Sequence, residues 1–175
     1  MPKMMILRGN HGQREDENGK IYDYKDGALH EPAAKEYARR RGYDGFVLDV
    51  SGDPPKRGKR DQSPQTLKAL DAFHADKEIT ALYGFSGGGY NVWWILQALK
   101  ADELRRLDLV VVLGAPETKE SAYDKSNYPG AHWELVYKVD PLKTAKGVPT
   151  GIKDPHMFGP EALLAQTPDP NQKTP

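Results

Sequence analysis

Ile79-Thr-Ala-Leu-Tyr-Gly84-Phe85-Ser86-Gly87-Gly88-Gly89-Tyr90-Asn91-Val92-Trp93-Trp94 is the stretch on which the fold is read. Its first seven residues are almost continuously apolar, as in a strand covered on both faces. After the glycines, Val92, Trp93, Ile95, Leu96 and Leu99 recur at helical spacing. Between strand and helix stands Gly-x-Ser-x-Gly, with Ser86 at its centre. A strand that turns this sharply into a helix leaves no room for side chains two residues before and two after the serine. Gly84 and Gly88 occupy those positions. The turn lifts the serine hydroxyl above the sheet on strained backbone, so Ser86 is expected at positive φ. The helix directs its positive end at the same point, where the Gly87 N–H can donate to an oxyanion.

Four more apolar runs flank this one: Met4 to Leu7, Gly45 to Val50, Leu109 to Leu113 and Trp133 to Val139. Helical patterns lie between them. Pro32 opens one that continues through Ala33, Ala34, Tyr37 and Ala38 to a stop at Gly42. Ser63-Pro64 caps a second, in which Leu67, Leu70 and Phe73 form an apolar stripe. A last helix runs from Pro160 through Leu164. Alternating strands and helices predict an α/β fold, a three-layer αβα sandwich around a mostly parallel five-stranded sheet. Gln13 to Leu29 is polar and without pattern, and reads as a long loop. Residues 1–166 are expected to form one domain, and 167–175, rich in proline and polar residues, a disordered tail.

A serine at its ordinary pKa is a poor nucleophile and needs a base held by an acid. Where such an elbow serves acyl transfer, the partners follow in chain order serine, acid, histidine. Asp140, in Val139-Asp140-Pro141, ends the fifth apolar run, and His156, in Pro155-His156-Met157-Phe158, precedes the last helix. Both are expected at the C-terminal ends of strands or in loops facing that edge, along which open α/β sheets gather ligands. Glu117, after the fourth strand, is the rival acid, whereas Asp154 is too close to His156 in sequence. A second oxyanion donor is expected in Arg8-Gly9-Asn10-His11-Gly12, with the amide of Asn10 favoured over that of His11. His11 itself reads as a pocket or loop residue. His30, His74 and His132 have no metal-site spacing, so no metal is expected.

In these features the chain resembles a minimal member of the α/β-hydrolase superfamily. The matching residues are Gly9-Asn10-His11-Gly12, Gly84-Phe85-Ser86-Gly87-Gly88, Val139-Asp140-Pro141 and Pro155-His156-Met157, which span nearly the whole chain. The resemblance implies strand order 2-1-3-4-5, with the serine after the central third strand. It also implies a cofactor-free serine esterase or thioesterase working through an acyl-enzyme. Ser86 would attack, His156 would take and return the proton, and Asp140 would stabilise the imidazolium. Two departures stand out: there is no room before Met4 for the antiparallel hairpin of larger members, and Ala115 to His132 is too short for a cap domain. An open site follows, with Tyr90, Tyr128, Trp133, Met157 and Phe158 as candidates to line an acyl pocket.

Composition narrows the partners. In 175 residues, 25 Lys and Arg balance 25 Asp and Glu, so no global field favours nucleic acid or anionic membrane. The basic knot Lys56-Arg57-Gly58-Lys59-Arg60 reads as a solvated loop. Cysteine is absent, which excludes disulfides, thiol catalysis and thiolate metal sites. The opening apolar run is too short for a signal peptide, and no segment reaches the roughly 20 apolar residues of a membrane span. A cytoplasmic protein acting on a small-molecule ester or thioester is the expectation. The sequence assigns no oligomeric state. Two other readings stay open: a flavodoxin-like module that holds an anion or phosphate at the turn from Ser86 to Gly89, and a non-catalytic hydrolase fold serving as an interaction surface.

Overall fold

The fold was analysed in a computed structural model, which describes residues 1–9, 12–15, 21–24, 30–48, 64–113, 134–137 and 159–172. Five strands form the main sheet: β1 (Lys3–Leu7), β4 (Asp44–Val47), β5 (Ile79–Phe85), β6 (Leu109–Leu113) and β7 (Glu134–Tyr137). All neighbours pair in parallel, in the order β4-β1-β5-β6-β7. Counted along the sheet's own strands this is 2-1-3-4-5, with β5 in the middle. The helices are α1 (Glu31–Arg40), α2 (Pro64–Ala75), α3 (Gly87–Ala98), the short α4 (Ala101–Leu104) and α5 (Gly159–Ala165).

The three layers follow from apolar alternation on the strands. On β1, Met5 and Leu7 face one side, and Met4 and Ile6 the other; on β6, Val110 and Val112 oppose Leu109, Val111 and Leu113. A strand with both faces apolar must be covered twice. On one face lie Phe73 of α2 and Val92, Trp93, Ile95 and Leu96 of α3. On the other lie Ala34, Tyr37 and Ala38 of α1 and Leu163 of α5. The helix ends behave as their residues dictate: α1 carries Pro32 in its first turn and stops before Gly42, which takes φ +86°.

Three details depart from the sequence reading. Within Gln13 to Leu29, expected as loop, β2 (Gly12–Glu15) and β3 (Ile21–Tyr24) pair as an antiparallel ribbon. A two-stranded ribbon outside the main sheet need not carry an apolar face, so hydropathy left no trace of it. The short α4 also went unread. On α2 the stripe is rotated: Leu67 is 50% exposed, while Gln65, Thr66, Ala69 and Phe73 are buried. Gln65, Ala69 and Phe73 lie four residues apart and share one face. The chain after α5 is tied to α1, with Arg39 donating to Asp169 at 2.9 Å and Arg40 to the Thr167 carbonyl at 2.9 Å.

The rotated face gives a direct test. Phe73→Ala should cost about 3–5 kcal/mol, and Leu67→Ala no more than about 0.5 kcal/mol, in urea unfolding of the two variants. Equal losses would restore the stripe expected from hydropathy.

Candidate functional site

Ser86 stands between the end of β5 and the start of α3, with φ +54° and ψ −118°. It is the one non-glycine residue with positive φ among the described residues. Such a conformation costs about 1–3 kcal/mol and persists only where its surroundings impose it. Here they do. The Ser86 N–H donates to the Leu113 carbonyl at 2.8 Å, which extends the β5–β6 ladder one residue past the strand. Its carbonyl accepts from Gly89 N–H at 3.0 Å and Tyr90 N–H at 3.3 Å, which starts the helix at once.

The flanking glycines are sterically required. A β-carbon on Gly84 would lie 2.4 Å from the Gly88 carbonyl oxygen and 2.7 Å from Val92 Cγ2. One on Gly88 would lie 2.3 Å from the Leu7 carbonyl oxygen and 2.6 Å from that of Arg8. Both obstacles include backbone, which cannot turn aside as a side chain can. The first turn of α3 therefore lies directly against the ends of β5 and β1. Gly87 and Gly88 open the helix, where N–H groups have no intrahelical acceptor and the helix dipole is positive. An anionic oxygen near Ser86 is favoured on both counts.

The chain leaving β1 reaches the same place. Gly9 is buried, and a β-carbon there would sit 3.3 Å from the Phe85 carbonyl oxygen and 3.6 Å from Ser86 Cβ. A small cavity beside it is lined by Arg8, Gly9, His30, Tyr83, Phe85 and Pro160. The start of α5 thus adjoins the neighbourhood of the elbow. Arg8 and Glu31 form an ion pair across the rim.

Of the residues singled out in the sequence, Ser86, Gly87 and Tyr90 are described. Tyr90 is half-buried and packs against the α2–α3 side of the core. Asn10, His11, Glu117, Tyr128, Trp133, Asp140, His156, Met157 and Phe158 lie outside the described residues. In sequence, Asn10 follows Gly9, Asp140 comes three residues after the end of β7, and His156 three before the start of α5.

Two polar clusters at this edge were missed in the sequence. Gln65, Thr66 and Asn91, all buried, join the starts of α2 and α3. His30, also buried, sets Nδ1 2.7 Å from Glu161 Oε1 and packs edge-on against the Phe85 ring at 4.8 Å. Its Nε2 and the Tyr83 hydroxyl are buried without a hydrogen-bond partner among the described residues. Burial, and then the Glu161 charge, push the Tyr83 phenol well above its usual titration range. No local signal marks either cluster, since the His30–Glu161 contact spans 131 positions. Among the described residues no group of three His, Asp or Glu gathers as for a metal ion, and no helix is long and apolar enough to cross a membrane.

No family model matches the sequence, and no curated protein is similar to it. Among solved structures, the chain is similar in fold to a novel cutinase-like protein from Cryptococcus sp.. The TM-score is 0.52 at 13% identity, over 95% of this chain and 90% of that one. At such identity the likeness is one of fold.

The steric reading of the elbow predicts a ranking. Gly88→Ala meets backbone and should lose more than the roughly 1–3 kcal/mol typical of overpacking. Gly42→Ala meets nothing within 4 Å and bears only the strain of φ +86°, about 1–2 kcal/mol. Chemical denaturation of both variants should show Gly88→Ala as the weaker protein.

Proposed function

We propose that this protein is a serine hydrolase that cleaves a carboxylic ester or thioester, with Ser86 as nucleophile. The observation that carries the reading is the strained turn at Ser86, held by two glycines whose replacement would drive a β-carbon into backbone. A fold does not maintain such a conformation at a serine without cost, and acyl transfer is a use for it. The shared fold with a cutinase-like protein and the approach of β1, β5 and α5 to one edge support the same reading.

In this proposal His156 takes the proton as Ser86 Oγ attacks the carbonyl carbon, and Asp140 holds the imidazole and stabilises its charged form. The oxyanion of the tetrahedral intermediate accepts hydrogen bonds from the amides of Gly87 and Asn10. Collapse expels the alcohol or thiol, which leaves with the proton from His156. Water, activated by the same imidazole, then releases the acid and restores the serine. Asp140 follows β7, which lies two strands from β5 in the sheet, and His156 precedes α5.

The test treats the three residues as a unit. A fluorophosphonate probe should label the wild type at Ser86 and leave Ser86→Ala unlabelled. Ser86→Ala and His156→Ala should each remove most of the turnover of a p-nitrophenyl ester, by factors that reach about a millionfold in such sites, with the double variant scarcely worse. Asp140→Asn should cost less. Wild-type activity should rise with pH through the imidazole titration, about 6.5 for an unperturbed histidine. If His156→Ala and Asp140→Asn both keep full turnover, the assigned base and acid are wrong. An unlabelled wild-type Ser86 would instead favour an anion-binding or interaction role.

A further inference from the structure

We infer that Gln65 is a positioning residue for this site, gripping the backbone where the chain leaves β1 and so fixing the Arg8–Gly9 segment against Ser86. The inference rests on the reading of Ser86 as nucleophile. Gln65 lies in the first turn of α2 and is completely buried. Its Nε2 donates to the Arg8 carbonyl at 3.0 Å and to Asn91 Oδ1 at 2.7 Å. Both acceptors are oxygens, so the amide orientation is determined: reversed, it would set oxygen against oxygen. Asn91 in turn donates from Nδ2 to Thr66 Oγ1 at 2.8 Å. The run Thr66–Asn91–Gln65–Arg8 therefore links α2, the second turn of α3 and the exit from β1.

The position of that last acceptor gives the cluster its consequence. Arg8 immediately precedes Gly9, the residue whose added β-carbon would lie 3.6 Å from Ser86 Cβ. Its carbonyl also lies against Gly88, as the 2.6 Å approach of an added β-carbon shows. The Arg8 carbonyl is thus held between the elbow helix and Gln65. The distance of the Arg8–Gly9 backbone from Ser86 is set through this grip.

The glutamine answers a local demand, since an apolar side chain beside Ala69 and Phe73 would leave the Arg8 carbonyl and Asn91 Oδ1 without this donor. Gln65 leaves its own Oε1 buried and without a partner among the described residues, so the two donor bonds are kept at a desolvation cost. What only a donor can do here is hold a backbone carbonyl. Nothing in hydropathy marks the position, although Phe73 of the expected stripe shares its face.

Gln65→Met keeps the length of the side chain and removes both donors. Its kcat on an ester hydrolysed by the wild type should fall about 10- to 100-fold, with KM within about twofold, as expected when a reacting group is misplaced by about 1 Å. Amides of Arg8 and Gly9 should exchange hydrogen at least about tenfold faster, while those of α3 stay protected. Thr66→Val, which removes the acceptor of the outermost bond and leaves the grip on Arg8 in place, should lose less than about threefold in kcat. Gln65→Glu covers the case in which the methionine variant does not fold. Burial favours its neutral form, which retains one donor, so part of the activity should return and then decline as pH rises through the carboxyl titration. Wild-type kcat in folded Gln65→Met, or full activity with the wild-type pH profile in Gln65→Glu, would overturn the inference and leave the hydrolase reading standing. A wild type inert to esters and to the probe would overturn that reading, and unchanged exchange at Arg8 and Gly9 in Gln65→Met would still overturn the grip separately.

Discussion

Backbone meets backbone where α3 leaves the sheet. The Gly88 α-carbon faces the Leu7 and Arg8 carbonyls, and the Gly84 α-carbon faces the Gly88 carbonyl, with no space for a β-carbon at either crossing. This contact sets the height of α3 above the sheet, and the packing of Val92, Trp93 and Leu96 on β1, β5 and β6 is adjusted to it. The conformation of Ser86 follows as well. Its amide is committed to β6 and its carbonyl to the first turn of α3. Strand and helix can both keep their hydrogen bonds only if the residue between them turns through positive φ. The strain is therefore a product of the crossing, and the crossing is stabilised by the core on both sides.

Most of this architecture was legible because one physical rule governs it. A parallel strand buried on both faces must be apolar at consecutive positions, as β1, β5 and β6 are, and the two remaining runs found in the sequence overlap β4 and β7. Strand order was implied by the family resemblance, and the pairing is the same. The elbow could be read from spacing because its requirement is local: two glycines, one serine and the switch of period from strand to helix. Gly42 was legible for a similar reason, since the end of a helix at positive φ selects glycine.

What escaped the sequence depends on partners distant along the chain. The inward face of α2 was read from Leu67, Leu70 and Phe73, because apolar residues are normally the buried ones. The structure turns Gln65 and Thr66 inward, and the reason is Asn91 and the Arg8 carbonyl, 26 and 57 positions away from Gln65. Hydropathy assigns a glutamine to the surface unless its acceptors are known. The same holds for His30, whose burial depends on Glu161 and on the face of β5 occupied by Tyr83 and Phe85. The β2–β3 ribbon escaped for the opposite reason, since its residues Gly12-Gln13-Arg14-Glu15 carry no apolar alternation to read.

These misreadings share one place in the fold. Strand interiors are apolar and the helices cover them, but at the C-terminal edge the strands end and the chain exposes backbone groups at the margin of the core. Buried groups there must find partners. Gln65 meets one such demand at the end of β1, and the N–H of Ser86 finds its acceptor at Leu113, the end of β6. His30 and Glu161 introduce charge and hydrogen-bonding capacity on the opposite face, against the last ring of β5. Polar side chains are thus drawn to this edge by the termination of the sheet, before any chemistry is considered. A nucleophile at the same edge stands among groups already fixed by hydrogen bonds, and fixed dipoles need little reorganisation when charge develops beside them. If Ser86 performs the acyl transfer proposed for it, the demand that closes the sheet and the demand of that chemistry are met by the same placement of polar groups.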